Sequence, residues 1–229
     1  RQVIDMDDVG EIKKWLLLRK ESILVKIEQI EFSEMEKWYF ENETGNLKHK
    51  TGKFFSIIGL DVRTNWGPIN LWTQPIIKQP EIGILGIITK KIEDKLYCLM
   101  QAKIEPGNLN YVQLSPTLQA TKSNYMQVHK GKKSLYLEYF RDRTNLVLLD
   151  QLQSEQGGRF FKKRNRNIII EPKDEIPVYE NFQWMTLDQI VQLLRIDNTV
   201  NMDTRTVISG LLFMGQKVQN TVENALYSF

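Results

Sequence analysis

Through the middle of the chain, runs of bulky and β-branched residues follow one another too closely to leave room for long helices: Phe54 to Val62, Ile82 to Ile92, Leu96 to Ile104, Val112 to Thr121 and Leu135 to Phe140. Runs of this kind, bounded by turn residues, read as strands, so the middle of the molecule is expected to be a sheet. Helical spacing is found at the ends. Ile12, Trp15 and Leu16 share one face of Val9 to Leu18, after which Ile23, Val25 and Ile27 alternate like a half-buried strand. Near the other end Thr186 has N-cap chemistry with Gln189 completing a capping box, and Ile190, Leu193 and Leu194 follow on one face. Val207, Leu211, Met214 and Val218 predict a second helix there. Thr44-Gly45-Asn46 reads as a turn, Asn145 to Gln153 as a short helix broken by Gly157-Gly158, and Arg159 to Ile170 as extended chain. Helices flanking a mixed sheet predict an α+β layer architecture. At 229 residues one unit is expected over 1–229, with a helix-and-strand arm over 1–33 and C-terminal helices over 184–229.

Composition excludes several classes of function. A net charge of +3 is too small for a face that neutralises many phosphates, so no nucleic-acid partner is expected. Ile82 to Ile88 is too short an apolar run to cross a bilayer, and the N-terminus lacks a secretory pattern, which predicts a cytoplasmic protein with no membrane partner. The single Cys98 cannot supply a disulfide framework or a Cys-rich metal site, and sits in a strand-like run as a small core residue. There is no dinucleotide glycine fingerprint, Walker lysine loop, Gly-x-Ser-x-Gly elbow or His-Glu-x-x-His pair, so neither a metal nor another cofactor is expected.

Chemistry concentrates between Gln101 and Gly131. Alternation would point Gln101, Lys103 and Glu105 to one face of a strand, putting an ammonium and a carboxylate in one cleft. The cation would favour the charged form of the acid, as suits a base; the alternative is an edge-strand ion pair without chemistry. Asn108, Thr117, Gln119, Thr121 and Asn124 add amides and hydroxyls, Tyr125 a phenol and His129 an imidazole. Trp66 and Trp72 flank a Gly67-Pro68 turn, where their rings could stack on a base or sugar or else fill the core. Arg159, Lys162, Lys163, Arg164 and Arg166 fall in a stretch without an acid, which suits a diphosphate or is a solvated basic strand.

These same segments resemble the NDP-hexose 2,3-dehydratases of deoxysugar biosynthesis. The resemblance covers roughly residues 35 to 212. It runs through Trp72-Thr73-Gln74-Pro75, Gln101 to Asn108, Val112-Gln113-Leu114-Ser115-Pro116-Thr117 with Gln119-Ala120-Thr121, and Ser123-Asn124-Tyr125 with His129 and Gly131. It continues in Ser154 to Phe160, Arg164-Asn165-Arg166-Asn167, Trp184-Met185-Thr186-Leu187 and Val200-Asn201-Met202-Asp203-Thr204-Arg205. The resemblance implies a Nudix-like fold without the metal-binding glutamate motif, and an enzyme needing neither metal nor nicotinamide. Its substrate would be a nucleoside-diphosphate 4-keto-6-deoxyhexose that loses water across C2 and C3. Glu105 or His129 would be the base, Tyr125 the proton donor and Lys103 the partner of the developing oxyanion. Arg159, Arg164 and Arg166 would hold the diphosphate, with Trp66, Trp72, Gln101, Asn108, Thr117, Gln119, Thr121, Asn124 and Asn165 around the rest of the substrate. Family members resemble a fusion of two such units, so a single unit implies a homodimer, with the Val207 to Val218 face in the contact, or one repeat of a longer protein. Two other readings remain open: a non-catalytic sugar-nucleotide-binding subunit, and a Nudix-like pyrophosphohydrolase.

Overall fold

A computed structural model describes residues 9–121 and 134–213. Helix α1 (Gly10–Ser22) leads into an irregular segment and a small antiparallel sheet, ordered β1 (Trp38–Phe40), β2 (Leu47–His49), β3 (Ser56–Arg63) and β4 (Leu71–Lys78). The main sheet is built on a long hairpin, β5 (Gly83–Ile92) and β6 (Lys95–Ile104). It also takes in β7 (Val112–Ser115), β8 (Leu118–Ala120), β9 (Leu146–Ser154), β10 (Arg164–Glu171) and β11 (Phe182–Thr186), with the spine ordered β11-β6-β5-β10-β9. Among the paired strands of the described residues only β5 and β10 run parallel, so the sheet is mixed. Helices α2 (Leu137–Arg141), α3 (Leu187–Leu194) and α4 (Met202–Ser209) complete the architecture, which is α+β as expected. Among the described residues no helix is long and apolar enough to cross a membrane.

Strand alternation divides the core between the two faces of the main sheet. Leu85, Ile87, Leu96, Cys98, Met100 and Ile169 pack with Ile12 and Leu16 of α1, Ile190 and Leu193 of α3, and Val207 of α4. Ile84, Ile88, Leu99, Ile168 and Ile170 face the other way, onto Tyr136, Leu137 and Phe140 at α2. Gly86 is required on that second face, because an added Cβ would lie 2.4 Å from the Phe140 ring. Burial pushes the Cys98 thiol up to about 12, consistent with a core residue.

The feature that creates the site is a fork. The β5–β6 ladder ends at Ile88 opposite Leu99. Beyond it, β7 pairs with β6 from Gln101 to Ile104, while β8 pairs with β5 from Ile84 to Gly86. Thr117 stands where the strands part: its buried hydroxyl accepts from the Ile88 N–H at 2.9 Å and donates to the Leu99 carbonyl at 2.5 Å.

Several expectations are corrected. Asn145 to Gln153 forms strand β9, not a helix; an irregularity opposite Ile169 and Ile170 interrupts the two-residue period and leaves leucines at helix-like spacing. Leu135 to Phe140 holds the short helix α2 rather than a strand. Among the described residues Ile23 to Ile27 pairs with no strand, and Leu24 is fully exposed. Val112 to Thr121 is two strands, interrupted at Pro116 and Thr117. The capping box of α3 is present, with the Thr186 hydroxyl accepting from Gln189 N at 3.1 Å and Thr186 N donating to Gln189 Oε1 at 2.9 Å. Helix α4 ends at Ser209, and Val207 and Leu211 are core residues, so this part of the expected dimer face is covered within the chain; Met214 and Val218 lie outside the described residues.

Candidate active site

Glu105 follows the end of β6, where the fork brings β8 and the start of α4 within reach. Its Oε1 accepts from Lys103 Nζ at 3.2 Å and from Gln119 Nε2 at 2.6 Å. Oε2 accepts from Asn108 Nδ2 and Asn201 Nδ2, each at 3.3 Å. Burial alone would raise its pKa, but the charge of Lys103 and the bonds from Gln119, Asn201 and Lys103 outweigh that and hold the carboxyl below its ordinary range. Asn201 does two further things: it donates to Gln119 Oε1 at 3.2 Å, and its Oδ1 accepts from Thr204 N at 2.9 Å as the N-cap of α4. Docking of α4 and orientation of Glu105 therefore depend on one amide.

The next acid on α4 has the opposite surroundings. Asp203 lies in the first turn, where the helix dipole favours an anion. Yet burial, then the charges of Glu155 and Glu105, push its pKa up to about 6 against the weaker pull of Lys103. It lines two cavities. One, of about 220 Å³, is bounded by Lys103, Gln119, Thr121, Glu155, Lys163 and Asn165 among others. The other, of about 180 Å³, is bounded by Gln153, Ser154, Glu155, Asn165, Asn167 and Thr206 among others. Glu155 Oε2 accepts from Asn165 Nδ2 at 2.6 Å. Lys163 is buried and donates to the Glu81 carbonyl; burial lowers its pKa against the opposing charges of Glu81 and Glu155. A third cavity of about 410 Å³ adjoins these, lined by Ser154, Glu155, Gly157, Phe160, Lys162, Lys163 and Arg164.

The sequence-predicted residues separate into groups. Lys103, Glu105, Asn108 and Gln119 meet at the fork, and Thr121 and Asn165 line the cavity beside them. Gln101 lies further back along β6, where Ser115 Oγ donates to its Oε1 at 3.5 Å, and Thr117 is built into the sheet. The arginines are not brought together. Arg164 lines the third cavity; Arg159 lines a separate groove of about 1170 Å³ on the small sheet. Arg166 pairs with Asp150 through bonds of 2.7 and 2.6 Å, and alternation along β10 turns it away from Asn165 and Asn167. Trp66 is 85% exposed in the β3–β4 loop, and Trp72 donates from Nε1 to Gln74 Oε1 at 2.8 Å. Asn124, Tyr125 and His129 lie outside the described residues.

Asn201, Asp203, Glu155 and Asn167 join the site without being individually predicted by the sequence. All four lie in segments that carry the family resemblance, and that was the available signal. Their partners come from distant parts of the chain, so spacing could not reveal the contacts.

Taken with the mixed sheet, the fork and its unlike carboxylates define a site suited to acid–base chemistry on a small polar ligand. The chain belongs to the NDP-hexose 2,3-dehydratase family, whose model matches residues 9–211. It is 51% identical over 204 residues to a dTDP-4-dehydro-6-deoxy-alpha-D-glucopyranose 2,3-dehydratase of Saccharopolyspora spinosa, covering 89% of this chain and 42% of that protein. It is 44% identical over 224 residues to the enzyme of that name from Amycolatopsis orientalis, covering 95% of this chain and 46% of the relative. With the Streptomyces violaceoruber enzyme of that name it shares 44% over 206 residues, 89% of this chain and 46% of the relative. The chain thus spans less than half the length of these curated relatives.

Proposed function

We propose that the chain is a dehydratase unit acting on a nucleoside-diphosphate 4-keto-6-deoxyhexose, with its reaction centre at the sheet fork. The observation that carries this reading is the family match along residues 9–211, which includes the segments supplying Lys103, Glu105, Gln119, Asn201 and Asp203. The C4 ketone acidifies the C3 proton. A base removes that proton, and the resulting enolate expels the C2 hydroxyl to leave an enol, which tautomerises to a 3,4-diketo-2,6-dideoxy sugar. Lys103 faces the developing C4 oxyanion. Glu105, held ionised, and His129 are the two candidates for the base; the donors that keep Glu105 charged also weaken it as a proton acceptor. Tyr125 is kept as a candidate donor. The third cavity, with Lys162, Lys163 and Arg164, suits the diphosphate, since cationic donors match phosphate oxygens.

The reading extends to a Nudix-like arrangement of the mixed sheet, to a cytoplasmic enzyme and to catalysis without metal or nicotinamide, as the resemblance implies. A homodimer would pair two units, and the exposed apolar side chains of Leu24, Ile30, Phe32 and Phe40 offer a surface for the contact. A second reading, a non-catalytic sugar-nucleotide-binding unit, is favoured by one observation: the relatives are more than twice as long as the part matched here. Incubation of the purified chain with dTDP-4-keto-6-deoxyglucose after exhaustive chelation, followed by mass spectrometry, separates the two. Loss of one water is expected; tight binding of an unchanged substrate would support the non-catalytic unit instead.

A further inference from the structure

The two cavities that meet at Asp203 differ in what they offer a ligand. The larger has donors: Lys103, the Gln119 amide and the buried Lys163. Glu155 lines both, and what the smaller adds is Asn167, whose side chain is fully buried and whose Oδ1 has no hydrogen-bond partner among the described residues. An orphaned buried acceptor costs stability unless a donor arrives. On a 4-keto sugar, the ketone oxygen at C4 can only accept, while the hydroxyl at C2 can donate. Because C2 and C4 both flank C3, a ring spanning the junction would set its ketone on the Lys103 side and its C2 hydroxyl on the Asn167 side. Asp203 stands between them, and among the described residues no donor is bonded to its carboxylate.

We propose that Asp203 is the catalytic acid that protonates the departing C2 hydroxyl; this rests on the elimination read from the site above. The groups facing it are Glu155 just after β9, Lys103 from β6 and Glu105 just beyond it, and Lys163 across the cavity. Burial and then the two acids disfavour its anion, so its protonated form persists to a higher pH than that of an ordinary aspartate. In the elimination the base takes the C3 proton, the C2–C3 double bond forms, the C2–O bond breaks, and Asp203 delivers its proton so that the oxygen leaves as water. The Asp203 anion then accepts the proton of the C3 enol hydroxyl while the protonated base returns its proton to C2. One water is lost, and both groups are restored.

The test compares the 2-hydroxy substrate with its 2-deoxy-2-fluoro analogue, since fluoride leaves with little help from an acid. Asp203→Asn is expected to lower water elimination by about 10²–10⁴-fold, to retain solvent-deuterium exchange at C3, and to expel fluoride within a few-fold of the unaltered chain. Equal losses on both substrates, or unaltered dehydration, would overturn the assignment while leaving the dehydratase reading intact. An unaltered chain that acts on neither substrate overturns both. Should Asp203→Asn not fold, Asp203→Glu supplies the comparison: a longer acid is expected to slow loss of water more than loss of fluoride, and an equal effect on the two counts against the proposal.

Discussion

Asp203 lines a small cavity with Lys103 and Gln119, the two side chains that also donate to Glu105, yet the surroundings of the two acids push them in opposite directions. Glu105 receives bonds from Lys103, Gln119, Asn108 and Asn201 and is held ionised. Asp203 receives none among the described residues, and burial, then the charges of Glu155 and Glu105, drives its pKa up to about 6. Burial acts on both. What separates them is the number of donors that reach each one, and those donors are set by the fork in the sheet and by the Asn201 cap. Identical chemistry can therefore be given unlike roles by a few neighbouring amides.

The largest expected effect breaks this comparison at Glu105. Glu105→Gln keeps the size of the side chain but removes its charge and its capacity to accept a proton. As the base, Glu105 would leave turnover lower by about 10²–10⁴-fold and C3 exchange abolished, with substrate affinity near normal by calorimetry. Exchange at the unaltered rate in this variant would exclude Glu105 and move the base to His129.

A smaller effect, on stability, should have opposite signs at the two positions. The pKa of Glu105 is depressed in the folded state, so its stabilisation is present above its ordinary 4.5 and lost as pH falls through the folded value. Glu105→Gln should cost about 1–2 kcal/mol at neutral pH, the low part of the range for bonds to a charged group, because water still reaches the carboxylate. That cost should shrink in acid. For Asp203 the folded pKa rises from its ordinary 3.8 to about 6, so the stability it contributes is fully present below 3.8 and lost as pH rises through about 6. Asp203→Asn should therefore be the more stable protein above pH 6, by up to about 3 kcal/mol at about 1.4 kcal/mol per pKa unit, with the gain vanishing below pH 4. Urea titrations at several pH values measure both; the same sign at the two positions would remove the contrast.

Much of the fork's hardware was legible in the sequence, and its consequence was not. The runs over residues 82–92 and 96–104 predicted the two strands, though not their pairing, and alternation brought Lys103 to Glu105 because two residues on one side of a strand are neighbours whatever the tertiary fold. The Thr186–Gln189 box was equally readable, being local. Strand β9 defeated the periodicity argument because its irregularity breaks the alternation, and α2 was too short to show a helical period. Asp203 was invisible for another reason. An acid just inside a helix N-terminus has an ordinary reading as a dipole partner, and only the fold brings Glu155 and Glu105 against it. The three arginines emerge apart because Arg159 lies in the turn before β10, while Arg166 points to the other side of that strand from Asn165 and Asn167.

The most direct measurement is the titration of the two carboxyl groups by carbon-detected NMR on the unliganded chain, assigned with Glu105→Gln and Asp203→Asn. The expected result is a pair far apart, with Asp203 titrating near 6 and Glu105 below its ordinary 4.5. Two carboxyls titrating together in the ordinary range, or in the reverse order, would contradict the account of a site built from unlike acids.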